Sequence, residues 1–400
     1  MSASIKLFLV FFIGYSLILV LGLIVDWHYV WSHTGFNFTS MTYPFGDIRN
    51  VTNYNSFIES GLDPRSDLFV NNEGQTIPPF NYPSFWLTFP ILNIDNKDTI
   101  YFGVSFFILF AIGTYLTLKI RNRIDFLVYL PLLFSPVVAL LIERGNNDQV
   151  AFFFVSLFCY FNKNRIIQMI AYYFAFAVKF FPVVIIASLT EKVNLKSIKI
   201  GLLIFLPVSL YILTTYPEII DLGKATPVSS SYYGYGWKTY SLTLSNHFNQ
   251  NLLNLFSFIS IAFLFLYFIR INPKKTYTNF SNHELIMFTS GLLIYIATYI
   301  IGTSYDYRLV FLLLTIPTLL KLNNKVSILS IIIIVFLFWS HQFVLASLNQ
   351  IIHHNSFKYL AVATLITKVI AHYALILLLI YNYRTIFEPV FFKWKLNNMA

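Results

Sequence analysis

Residues 5–25 read IKLFLVFFIGYSLILVLGLIV, and residues 26–85 follow at once as DWHYVWSHTGFNFTSMTYPFGDIRNVTNYNSFIESGLDPRSDLFVNNEGQTIPPFNYPSF. The first run reaches the ~20 residues needed to span a bilayer and exceeds a signal-peptide core of roughly 7–15. Asp26-Trp27-His28 follows it with no small-residue cleavage site, so the run is expected to be retained as a first span. The second stretch holds six of the 17 acidic residues, Asp26, Asp47, Glu59, Asp63, Asp67 and Glu73, among many aromatics. A polar loop of that length hung from a span is more than a connector.

The whole chain repeats the pattern of the first run. Its 400 residues are 57% hydrophobic and only 11% charged, with mean hydropathy +0.67, against roughly 25% charged in soluble domains. This composition implies an all-α, polytopic transmembrane protein, with residues 1–400 forming one membrane-embedded unit and no separate soluble domain. The net charge of +10 is dispersed through short loops without a basic stretch, which argues for membrane topology and against a nucleic-acid partner. Cys159 is the sole cysteine and lies in an apolar run, where a small buried side chain is expected.

Apolar windows fall near 5–25, 98–118, 126–142, 149–162, 166–178, 180–190, 200–216, 251–270, 284–302, 308–321, 326–348 and 359–381, about 12 spans. A short interfacial helix is expected near Ser84–Leu92, between Pro83 and Pro90. With a cytoplasmic N-terminus, the inner segments carry 17 of the 27 basic residues and four of the 17 acids. The positive-inside rule then puts both termini in the cytoplasm, and it puts the first loop (26–97) and a second long loop (217–250) outside. Lysines and an arginine flank both ends of the run that contains Lys179-Phe180-Phe181-Pro182. The run must therefore reverse near Lys179, with one long tilted span as the alternative. The Asn, Ile, Lys and Phe bias points to an AT-rich bacterial genome, and so to a bacterial plasma membrane.

No Walker loop, GxGxxG, HExxH or Gly-x-Ser-x-Gly elbow occurs. No metal-ligand spacing is present and no cofactor is expected, although a divalent metal stays open. What remains is an outer face with one carboxylate-rich loop and cations at helix ends. That combination suits transfer of a sugar from a lipid-linked phosphate. Fixed cations stabilise the leaving phosphate, and a carboxylate takes the proton of an acceptor hydroxyl.

The ordered motifs resemble the GT-C superfamily of integral-membrane glycosyltransferases, most closely its polyprenol-phosphate-sugar-dependent mannosyltransferase-like members. PFGDIRNVTNY (44–54) resembles the family's first-loop Asp segment, SGLDPRSD (60–67) its Gly-x-x-Pro-Tyr step, and PFNYPSFW (79–86) its Tyr-Pro-Pro segment. ERGNNDQVAFFFVSLFCYF (143–161) is similar to a Gly-Asn helix start, and AFAVKFFPVV (175–184) to a Lys-x-x-Pro turn. SLTLSNHF and SYDYRLVFLL are weaker similarities. Two positions depart from the pattern: Arg65 replaces an aromatic and Ser84 replaces the second proline.

The resemblance implies a GT-C-like fold and transfer of one sugar, a hexose such as mannose, by an inverting mechanism. The partners it implies are a polyprenyl-phosphate-linked sugar donor, a glycan or glycolipid acceptor, and the bilayer. Asp47 is the candidate catalytic base, with Arg49 close by to keep it ionised; a turn-forming aspartate is the plainer alternative. Lys179 is the candidate donor-phosphate cation, assisted by Arg144, Lys238 and Arg308, and an interfacial anchor is its alternative. Asn146 and Asn147 are candidates for capping the next helix or binding sugar hydroxyls. Tyr82, Trp86 and Trp237 are candidates for stacking on substrate or for an aromatic belt. The other five acids of the first loop are expected to be scaffold. A lipid or solute transporter, or a membrane glycan polymerase or ligase, are the rival readings. Net substrate movement without glycosidic product would mark the first, and long products the second.

Overall fold

A computed structural model of the chain describes residues 2–36, 41–54, 80–88, 94–190, 195–225, 234–244, 249–273, 279–301, 304–353 and 358–387, together with 61, 65, 69–70, 76–77 and 92. Glu59, Asp63, Asp67 and Glu73 lie outside the described residues. What is described is helical but for two short antiparallel pairs, β1 (Phe69–Val70) with β2 (Thr76–Ile77) and β3 (Gly234–Tyr235) with β4 (Ser304–Tyr305). In chain order the helices are α1 (Ala3–Ile24), α2 (Trp27–Ser32), α3 (Gly46–Thr52), α4 (Thr99–Thr117), α5 (Arg123–Leu133), α6 (Pro136–Glu143), α7 (Asp148–Tyr160), α8 (Arg165–Val178), α9 (Leu195–Ala225), α10 (Trp237–Leu244), α11 (Gln250–Arg270), α12 (Asn282–Ile301), α13 (Ile316–Leu322), α14 (Lys325–His353) and α15 (Lys358–Ile386). The interfacial helix expected after Pro83 is a 3₁₀ turn, Ser84–Leu87.

Among the described residues, five helical segments are long and apolar enough to cross a membrane: Ala3–Ile24, Asn96–Thr117, Ile198–Ile220, Asn282–Ile300 and Ala363–Ile386. A sixth follows if α5 and α6 count as one broken span. The windows at 149–162 and 166–178 fall on helices of fewer than 18 residues. Polar breaks cut them short: Arg144–Asn147 precedes α7, Lys163-Asn164 precedes α8, and Lys179 ends it. The second long loop also begins later than expected. α9 runs through Pro217 to Ala225, since one missing N–H leaves the rest of the ladder intact. The Arg65–Glu218 ion pair at 3.0 Å fastens its last turns.

The described chain groups into two compact units. One comprises Met1–Ile120, Leu133–Val183 and Ile204–Pro227, and the other Arg121–Leu132, Val184–Leu203 and Val228–Ala400. In the first, α1 presents Phe11 and Tyr15 to Phe107, Phe110 and Phe134 in mutual ring contacts. The Tyr15 hydroxyl donates to the Leu133 carbonyl at 3.2 Å. Asp26 caps α2 by accepting from the Tyr29 N–H at 2.6 Å.

The segment that delivers Asp47 is held by one strained residue. Phe45, at the N-cap of α3, has φ 55°, in the left-handed region that L side chains avoid. Its ring is buried and packs 4.8 Å from that of Trp27. Two glycines make room for it: a Cβ on Gly103 would overlap the Phe45 ring, and one on Gly145 (φ 57°) would lie 2.8 Å from the Phe45 Cβ. Gly103→Ala is therefore expected to cost about 1–3 kcal/mol by overpacking. Gly201→Ala, where an added Cβ meets nothing within 4 Å, should be neutral or stabilising by up to about 1 kcal/mol. Thermal unfolding of the two variants in the same detergent checks the contrast.

Candidate active site

α6 ends at Glu143, the chain turns through Arg144-Gly145-Asn146-Asn147, and α7 starts at Asp148. Gly145 supplies the positive φ of this turn. Glu143 is buried and accepts from the Met41 N–H at 2.7 Å and from the Trp27 indole at 3.3 Å. The Arg144 Nε lies 3.2 Å from the other Glu143 oxygen. The first loop is thus tied to the turn, and the Asp47 N–H donates to the Arg144 carbonyl at 2.9 Å.

Asn146 carries the central contact. Its Oδ1 accepts from the Asp148 N–H at 2.8 Å, capping α7, and its Nδ2 donates to Asp47 Oδ2 at 2.5 Å. Taking the backbone N–H with its oxygen forces its nitrogen toward the carboxylate. Of the two roles expected for the Asn pair, Asn146 fills the cap. Asn147 occupies the cap position without a side-chain cap bond. It is only 3% exposed, and both ends of its amide lack a hydrogen-bond partner among the described residues.

Asp47 keeps part of its surface open, yet the packing around its carboxyl strips enough water to push its pKa above the usual carboxylate range. Arg144, the Asn146 bond and Lys179 pull the other way, and Asp148 adds to the rise. The Arg49 guanidinium sits 4.4 Å over the Tyr43 ring.

Lys179 follows the last residue of α8 with extended backbone, φ −151° and ψ 135°. A 3₁₀ segment, Phe181–Thr190, follows, and the Val183 carbonyl accepts from the Tyr172 hydroxyl at 2.9 Å, so the α-helix is broken at Lys179. Trp86, 2% exposed, donates its indole N–H to the Val178 carbonyl at 3.1 Å. It satisfies one of the acceptors left over at the helix end, and so acts on the position of Lys179. The Lys179 ammonium lies 3.4 Å from Asp148 Oδ1 and 4.9 Å from the Tyr82 ring centre. The two departures from the family pattern meet in this unit, where the Arg65 guanidinium donates to Ser84 Oγ at 2.7 Å.

The first unit therefore brings together Asp47, Arg144, Asn146, Asn147, Lys179, Tyr82 and Trp86. Lys238, Arg308 and Trp237 belong to the second unit. There Lys238 is exposed, Trp237 is half-buried, and half-buried Arg308 donates to Ser304 Oγ at 3.2 Å. The second unit also holds a polar cluster with no counterpart among the sequence candidates. Lys368 on α15 is fully buried, and its ammonium donates to both oxygens of buried Asp306 at 2.9 and 2.7 Å and to the Gly234 carbonyl at 3.1 Å. One turn on, His372 stacks on Tyr235 and meets the Tyr295 hydroxyl at 2.7 Å.

The sequence carried signs of these groups. Lys368 and His372 are spaced i, i+4 within an apolar window, which puts both on one helix face. Glu143 and Asp148 bracket the quoted Arg144–Asn147 turn. Among the described residues, no three His, Cys, Asp or Glu side chains converge as metal ligands. Comparison with family models, curated proteins and solved structures gave no match.

Lys368→Met leaves the Asp306 carboxylate buried without its cation and is expected to cost about 3–5 kcal/mol. The Lys368→Met/Asp306→Asn double variant should recover a large part of that loss. A double variant destabilised by the sum of the two single losses in a double-mutant cycle would show that the pair is not coupled.

Proposed function

We propose that this is a membrane glycosyltransferase of the GT-C-like type, moving one sugar from a polyprenyl-phosphate donor to an acceptor hydroxyl. The observation that supports it best is a carboxylate with a raised pKa, Asp47, held by Asn146 within the electrostatic reach of Arg144 and Lys179. In the reaction Asp47 takes the acceptor proton while the acceptor oxygen bonds to the anomeric carbon. The bond from that carbon to the phosphate oxygen breaks, and its electron pair leaves with the phosphate, whose charge Lys179 offsets. One displacement with one base inverts the anomeric carbon. The Asn147 amide, a donor and an acceptor side by side, matches two neighbouring sugar hydroxyls.

The twelve-span topology, with both termini cytoplasmic and the site on the extracytoplasmic face of a bacterial plasma membrane, belongs to this proposal. It rests on the loop charge bias. The candidate spans support a lipid setting, in keeping with a lipid-linked donor.

A transporter is the second reading, favoured by one observation: Lys368 is ionisable, buried and inside the candidate span Ala363–Ile386. Labelled substrate moving across vesicles without any glycosidic product would establish it.

With purified protein and a panel of polyprenyl-phosphate sugars, Asp47→Asn is expected to lower transfer about 10²–10⁴-fold while membrane insertion stays intact. Wild-type rates in that variant would refute the assignment of the base. The base works only when ionised, so raising its pKa shifts the acidic limb of the pH–rate profile upward. The midpoint of that limb should lie above the about 4 of an ordinary aspartate.

A further inference from the structure

Two lysines pair with buried aspartates among the described residues, and the pairs differ in kind. The Lys368 ammonium has three N–H groups and meets three acceptors at 2.7, 2.9 and 3.1 Å, the geometry of a permanent tie. Lys179 lies 3.4 Å from Asp148 and shares its charge with the face of Tyr82. That separation exceeds the roughly 2.7–2.9 Å of a charge-assisted hydrogen bond. Asp148 is buried, and part of the cost of releasing the lysine is offset by its place in the fold. It sits in the first turn of α7, where the helix dipole favours a negative charge.

We infer that Asp148 is a positioning residue that holds the Lys179 ammonium in place of the donor's phosphate and yields it when a phosphate-bearing lipid arrives. This rests on the reading of Lys179 as the donor-phosphate cation. Asp148 and the phosphate are competing anions for one ammonium, so the aspartate sets the donor affinity. Passing the ammonium to the phosphate leaves Asp47 and Asp148 sharing less positive charge. Asp47 then holds a proton more tightly at the moment the donor is seated, which ties base strength to donor binding.

The test uses the full chain in detergent and farnesyl phosphate, a lipid phosphate that carries no sugar. Inorganic phosphate in a parallel arm separates recognition of the lipid from recognition of the bare anion. Asp148→Asn is expected to bind farnesyl phosphate about tenfold tighter than wild type, and Lys179→Gln to lose binding. Turnover with a sugar-charged donor should fall in Asp148→Asn, and the acidic limb of its pH–rate profile should move downward. A purely structural aspartate would weaken binding and turnover together.

Unchanged or weaker farnesyl phosphate binding in Asp148→Asn overturns the inference, as does binding that Lys179→Gln leaves intact or a wild type that binds none. Inorganic phosphate binding as tightly as farnesyl phosphate overturns the lipid part. Asp148→Ser serves as a second neutral variant. If both neutral variants lose the folded chromatographic profile, the pair is structural and the inference falls. If binding behaves as expected while no sugar-charged donor yields product, the competition stands and the transferase reading falls.

Discussion

The amide of Asn146 has one oxygen and one nitrogen to offer, and neither is spare. The oxygen closes the start of α7 on the Asp148 N–H, and the nitrogen meets the Asp47 carboxylate. Turning the amide over would set oxygen against oxygen at Asp47 and leave a helix N–H without its acceptor. The first-loop carboxylate and the start of a helix far along the chain are thereby one object. Much else in the first unit serves that contact. Glu143 ties Met41 to the same turn, Gly145 provides its backbone conformation, and the Phe45 ring fills the space that Gly103 and Gly145 leave.

Lys179 and the Glu143–Asp148 turn were legible because each puts polar groups into an apolar run, whereas Asp47 was singled out within the polar first loop by the resemblance of its segment. What could not be read were the partners. Nothing in ERGNND says that Asp148 faces Lys179, or that Asn146 caps the helix while Asn147 does not, because these depend on which way a short turn points its side chains. Trp86 belongs to the same category. Its aromatic character was plain, but its indole N–H ends on the Val178 carbonyl, a contact set by packing between segments distant in sequence.

Hydropathy served the fold class better than the span count. A window average registers apolar content but not the point at which a helix stops, and at Lys179 the helix stops within an apolar run. It also passed over Lys368, because one charge in a long apolar window barely moves the average. The cost of burying that ammonium is met locally by Asp306 and the Gly234 carbonyl. Gly234 opens β3 and Asp306 follows β4, so a lysine on a candidate membrane span fixes the join of two loop segments. Charge in an apolar helix here serves architecture as much as chemistry.

Arg65 and Ser84 were recorded separately as departures from a family pattern, yet they hydrogen-bond to each other, and the same guanidinium reaches Glu218. An aromatic at 65 would leave Ser84 and Glu218 without this partner, and a proline at 84 would remove the hydroxyl. The three side chains therefore depend on one another for these contacts. A chimera that imports the first loop from a chain with the aromatic–proline version must import the matching end of α9 as well, or the graft will carry a carboxylate with no cation to answer it.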